Sequence, residues 1–127
     1  MAYGDSNALQ IPGLVATGDL SSKQYYFVKM ASTAGAVKVC AATTDHPIGV
    51  LQNDPTDGQP AEIVALGVTK VMCGSTAVTV GADIGWNAEG QANVRTAAGS
   101  RSAGTAIEAS SADADIVSIL LHGYWRR

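Results

Sequence analysis

At 127 residues the chain falls in the size range of one domain, and its 46% hydrophobic, 6% aromatic and 15% charged composition describes a folded protein built mainly from small aliphatic side chains. The formal net charge of −3, with eight Lys and Arg scattered except for Arg126 and Arg127, offers no field to gather a phosphate backbone, so nucleic acid is not an expected partner. No segment approaches the ~20 apolar residues that span a bilayer, so no membrane partner is expected either.

Residues 1–5 have no basic leader followed by an apolar run, which reads as a soluble protein made without export. Residues 1–20 are broken by Gly4, Asn7, Pro12, Gly13 and Gly18, too often for a helix, yet carry Tyr3, Leu9, Ile11, Leu14 and Val15. The reading is an extended N-terminal arm with apolar anchors, ahead of one β domain over 21–127 that ends in a short C-terminal tail. A frayed terminus is the plainer alternative.

Short strands begin at residues 24–30, rich in aromatic and β-branched side chains. A turn at 32–35 leads into residues 36–41, where Val37 and Val39 alternate with Lys38 and Cys40 as in a strand with one buried face. Residues 47–52 precede a loop at 53–58, where Asn53 and Asp54 cap local turns, Pro55 fixes φ and Gly58 accepts positive φ. Residues 61–66 and 68–73 are separated only by Gly67, so one long strand bent at that glycine fits both halves.

Residues 74–81 are small and lean towards β, residues 82–87 and 91–96 form a hairpin around Gly90, and 97–104 read as a flexible loop. Residues 105–109 and 115–121 flank a turn and read as strands. A helix over 105–121 is the rival, with Ile107, Ile116 and Leu120 on one face, but Ser110, Ser111 and Asp113 favour turns. Turn signals every eight to twelve residues predict an all-β protein, a small β-barrel or β-sandwich.

Candidate chemistry is sparse. Cys40 and His46, with Asp45 beside the latter, contain the residue types of a nucleophile and base, but sequence neighbours in a strand and turn rarely face each other. Cys40, His46, Cys73 and His122 lack the paired spacing that pre-arranges a zinc site, and the glycine-rich stretch at 99–104 lacks the Lys and helix pattern of a phosphate cradle. No cofactor, metal or catalytic residue is therefore expected. The two cysteines read as reduced, half-buried thiols, although the sequence leaves their pairing open. Trp86, with Tyr25 and Tyr26, would make a sugar platform if exposed; as a core residue it would not. Tyr124, Trp125, Arg126 and Arg127 are residue types enriched at interface hot spots and also suit a tail folded back on the barrel.

The ordered series of residues 48–55, Gly58, 61–63, 67–71, Gly81, 104–109 and 115–121 resembles the small capsid decoration, or cement, proteins of tailed bacteriophages. That resemblance covers roughly residues 24–121. It implies a non-enzymatic β domain that assembles as a homo-oligomer, usually a trimer, on the outer face of the expanded head. There it would clamp neighbouring major capsid proteins and stabilise the shell, after synthesis and assembly in the host bacterial cytoplasm. In such families the N-terminal segment often lies along the shell, which places Tyr3, Leu9, Ile11 and Leu14 as capsid or subunit contacts. The tail contacts, Tyr124 to Arg127, match no part of the family pattern and rest on composition. The alternative function is a carbohydrate-binding or host-adhesion module on the same scaffold.

Overall fold

Every regular element among the described residues is a β-strand. The computed structural model describes residues 8–95, 101–110 and 115–126. In chain order the strands are β1 (Leu9–Ile11), β2 (Val15–Ala16), β3 (Phe27–Met30), β4 (Ala36–Val39), β5 (Pro47–Leu51), β6 (Ile63–Met72), β7 (Asp83–Trp86), β8 (Ala92–Val94), β9 (Arg101–Ala106) and β10 (Ile116–Arg126). They pair in the order β2-β4-β3-β5-β6-β10-β9-β7-β8, with β1 on β6, as one sheet that folds over in sandwich fashion and does not close into a barrel. All pairs are antiparallel except β2 with β4.

The long strand expected across Gly67 is β6, and its bend joins the two layers. Val64 and Ile63 pair with Val50 and Leu51 of β5, whereas Gly67 to Met72 pair with Leu121 to Ile116 of β10. Gly67 has φ +103°, a conformation a Cβ disfavours, and an added Cβ would sit 3.1 Å from Ala8. The loop at 53–58 also forms as expected. Asn53 ties it down, its Nδ2 donating to Pro60 O at 3.0 Å and its Oδ1 accepting from the Glu62 N–H at 3.0 Å. The hairpin around Gly90 is β7–β8, with Trp86 opposite Ala92.

Two apolar clusters form the interior. The first lies between the layers and includes Phe27, Val50 and Val64 from one side and Val71, Ile84, Trp86 and Ile119 from the other. The second covers the opposite face of β3–β6, where Val28, Val37, Leu51 and Ile63 pack beneath Ala16 and Leu20, with Ile11 and Leu14 against them. Consecutive residues such as Phe27 and Val28, or Val50 and Leu51, are therefore both fully buried, one in each cluster.

Four readings are corrected. Residues 36–41 do not have a single buried face: Val37 belongs to the second cluster and Cys40, just past β4, to the first, while Lys38 and Ala41 are exposed. The strand expected from 24 starts at Phe27, because Tyr25 takes φ +71° and breaks the extended run. Residues 74–81 form no strand, only a bridge between Val78 and Ser110. The loop expected at 97–104 gives way to strand at Arg101: Ser102 and Ala103 are buried, and Gly104 lies so close to β10 that an added Cβ would be 2.4 Å from Leu120 O. Small residues there serve close strand packing. Residues 105–121 hold the ends of two strands, with no helix among those described.

Candidate functional site

The residues with catalytic potential differ in their access to solvent. Cys40 is buried in the first cluster, and burial pushes its thiol up to about 12, with the Asp45 carboxylate adding to the rise and Lys29 opposing it. His46 is exposed. Asp45 is held by the structure: its Oδ1 pairs with Lys29 Nζ at 2.8 Å, and its Oδ2 accepts the N–H groups of Ala41 (2.7 Å) and Ala42 (3.0 Å). The Lys29 hydrogen bond, then that from Ala41, keeps its carboxyl below the ordinary carboxylate range. Cys73 is equally buried, its thiol raised by burial first, and both cysteines are free thiols, fully buried where half-burial was expected. Among the described residues no three His, Cys, Asp or Glu gather as metal ligands.

Trp86 is likewise withdrawn from solution. Its ring is 0% exposed, lies 6.0 Å from Phe27 at a tilt of 50°, and is covered by the Arg95 guanidinium 5.2 Å from its centroid. Arg95 Nη2 donates to the Trp86 carbonyl. A sugar stacking on Trp86 is thereby contradicted: the side chain fills the space between the layers.

The expected contact residues divide. Leu9 is 56% exposed, at the start of β1 opposite Leu66. Ile11 and Leu14 pack against this chain's own second cluster, and Leu14 O accepts the Ala61 N–H at 2.9 Å. Tyr3 and Arg127 lie outside the described residues. The backbone at Tyr124, Trp125 and Arg126 continues β10, with Trp125 opposite Ser102 and Arg126 opposite Arg101; their side chains lie outside the description.

Two surface features were missed in the sequence. The first is an apolar stripe on the outer face of β6 and β10, where Val68 faces Leu120 and Met72 faces Ile116 across the strands. Leu66, Leu120 and Ile116 are each at least 40% exposed, and Leu9 extends the stripe at the bend. Which face of β6 is covered depends on its partners: with Thr69 and Val71 buried, positions 68, 70 and 72 face out, and two of the three are apolar. The second is the turn before β3, where Lys23 Nζ lies 4.9 Å over the Tyr26 ring and Lys70 Nζ 5.9 Å over the Tyr25 ring. Both tyrosines are half-buried.

Comparison with known proteins gives a fold likeness and a family. The N-terminal base of the head fiber gp8.5 of bacteriophage phi29 superposes with a TM-score of 0.71 at 16% identity, over 94% of this chain and 98% of that one. At that identity the likeness is one of fold. No curated protein matches the sequence. The sequence model of a family described as phage cement protein matches residues 9–121, which takes in the described strands from β1 to the Leu121 end of the β6–β10 pairing. The chain belongs to the phage cement protein family.

Proposed function

We propose that this protein decorates the outer surface of the assembled phage head and stabilises it by clamping neighbouring major capsid proteins. The observation that carries the reading is the apolar stripe of Leu66, Val68, Leu120, Met72 and Ile116 on an otherwise well-buried sheet. Exposed apolar side chains gathered on one face in this way, interrupted by the Lys70–Ser118 pair, mark an association site. Family membership supplies the capsid as the setting.

In this reading the Leu66, Val68 and Leu120 part of the stripe packs copies into a trimer, and the shell is met by Leu9 with Tyr3 and by Tyr124 to Arg127. Ile11 and Leu14 act indirectly, by fixing the segment that carries Leu9. Many copies on one shell give avidity, so each contact can be modest. Assembly takes place in the host cytoplasm, and the product sits on the virion exterior.

Incubating the full chain with purified expanded heads of the phage that encodes it, followed by sedimentation and electron microscopy, tests the proposal. Density on the outer surface, together with a trimer mass that Leu120→Glu reduces to monomer, is expected. Protein left wholly in the supernatant would overturn the decoration role, and a monomer that still decorates heads would overturn the trimer.

A further inference from the structure

The turn ahead of β3 is built more rigidly than a surface connection requires. Tyr25 adopts φ +71°, a region that side chains with a Cβ rarely occupy. It is held there from both sides: its N–H donates to Leu51 O of β5 at 2.7 Å, and its carbonyl accepts the Met72 N–H of β6 at 2.9 Å. Tyr26 is anchored in turn, its carbonyl accepting the Leu51 N–H at 2.9 Å and its hydroxyl accepting from Gln91 Nε2 at 3.4 Å. Two tyrosine rings are thus fixed, half-exposed, where the two layers meet.

Each ring lies beneath an ammonium. Among the described residues neither Lys23 nor Lys70 has a carboxylate within ion-pair distance, whereas nearby Lys29 is paired with Asp45. The chain does not lack acids, since its eleven Asp and Glu outnumber its eight Lys and Arg. Two cations left unpaired on an acidic protein, over pre-positioned tyrosines and beside the apolar Met72 and Ile116, have the composition of an interface hot spot awaiting negative charge.

We propose that Lys23, Tyr25, Tyr26 and Lys70 form a docking surface for an acidic protein segment, its carboxylates on the two ammoniums and its aliphatic stems on the tyrosine edges. The inference rests on the decoration role, which makes the shell the source of that segment. A nucleic acid fits poorly against a net charge of −3. A pyranose would compete with the ammonium already covering one face of each ring.

The test compares the full chain with the double variant Lys23→Glu, Lys70→Glu, after checking that the two melt alike; if they do not, Lys23→Gln with Lys70→Gln replaces it. Co-sedimentation with purified heads should weaken about tenfold or more in the variant, and wild-type binding should weaken as NaCl rises from about 50 to about 300 mM. Equal binding by both proteins, or salt-independent binding, overturns the proposal. If the wild type does not bind heads at all, the decoration role fails, and poly-L-glutamate decides the surface on its own. Shifts of the amide NMR signals of residues 23–26 that the variant loses would uphold the acidic-segment site, and no shift would overturn it. Glycan-array binding that survives the charge reversal but is lost in Tyr26→Ala would also overturn it, in favour of a sugar.

Discussion

Cys40 shares the interlayer cluster with Phe27 and Trp86, and Cys73 stands just past the end of β6 in the same cluster. A thiol reacts as its thiolate, and burial opposes that charge at both sites, holding Cys40 at about 12. At pH 8 the thiolate fraction of Cys40 is therefore negligible, and exclusion from solvent slows any attacking reagent further. The folded protein should show almost no reaction with DTNB over minutes, while the denatured chain should release close to two equivalents, matching its two cysteines. Rapid labelling of one cysteine in the native state would reopen the nucleophile reading. The same burial argument disposes of the Trp86 platform, because residue type is legible in a sequence and solvent access is not.

At the level of strands, β9 illustrates how partners outweigh local pattern. Arg101 to Gly104 has the composition of a loop, yet it pairs with the far end of β10 and places Ser102 and Ala103 in the interior. An added Cβ at Gly104 would meet the backbone of Leu120, at 2.4 Å from its O and 3.1 Å from its C, and backbone cannot rotate aside as a side chain can. Gly104→Ala should cost about 2–3 kcal/mol by forcing β9 from β10. Gly81→Ala is the control: its φ of +83° is unfavourable for Ala, but nothing lies within 4 Å, so about 1 kcal/mol is expected. Urea unfolding of the two variants checks the difference, and equal losses would mean that β9 moves away from β10 without strain. The bent β6, the loop at 53–58 and the Gly90 hairpin were legible because each is written in neighbouring residues. The outer stripe of β6 and β10, the two-sided burial of residues 36–41 and the strand character of 122–126 were not, since each depends on a partner more than ten residues away.

For the molecule as a whole, the N-terminal segment roofs the second cluster, a task that a truncation would confuse with the proposed contact to the shell. Residues 9–20 lie along the outside of β3–β6, hydrogen-bonded through Ala16 N to Gln59 O, Thr17 N to Val37 O and Leu20 N to Pro55 O, all within 3.0 Å. Ile11, Leu14, Ala16 and Leu20 thereby roof a cluster whose floor, Val28, Val37, Leu51 and Ile63, is fully buried. A chain lacking residues 1–14 would lose β1 and the cover of Ile11 and Leu14, and apolar burial of that extent is worth about 2–4 kcal/mol. A domain of this size has roughly 5–15 kcal/mol in hand, so the truncated protein should still fold but with a clearly lower urea midpoint. Failure of that truncation to bind heads would then mix lost contact with lost order. Leu9 separates the two: it is more than half exposed, so Leu9→Glu should leave the unfolding free energy from urea titration within about 0.5 kcal/mol of wild type while weakening head binding. A truncation of residues 1–14 with undiminished stability would show that the second cluster does not need its roof. In that event the whole segment, Ile11 and Leu14 included, would be free to leave the domain and lie along the shell.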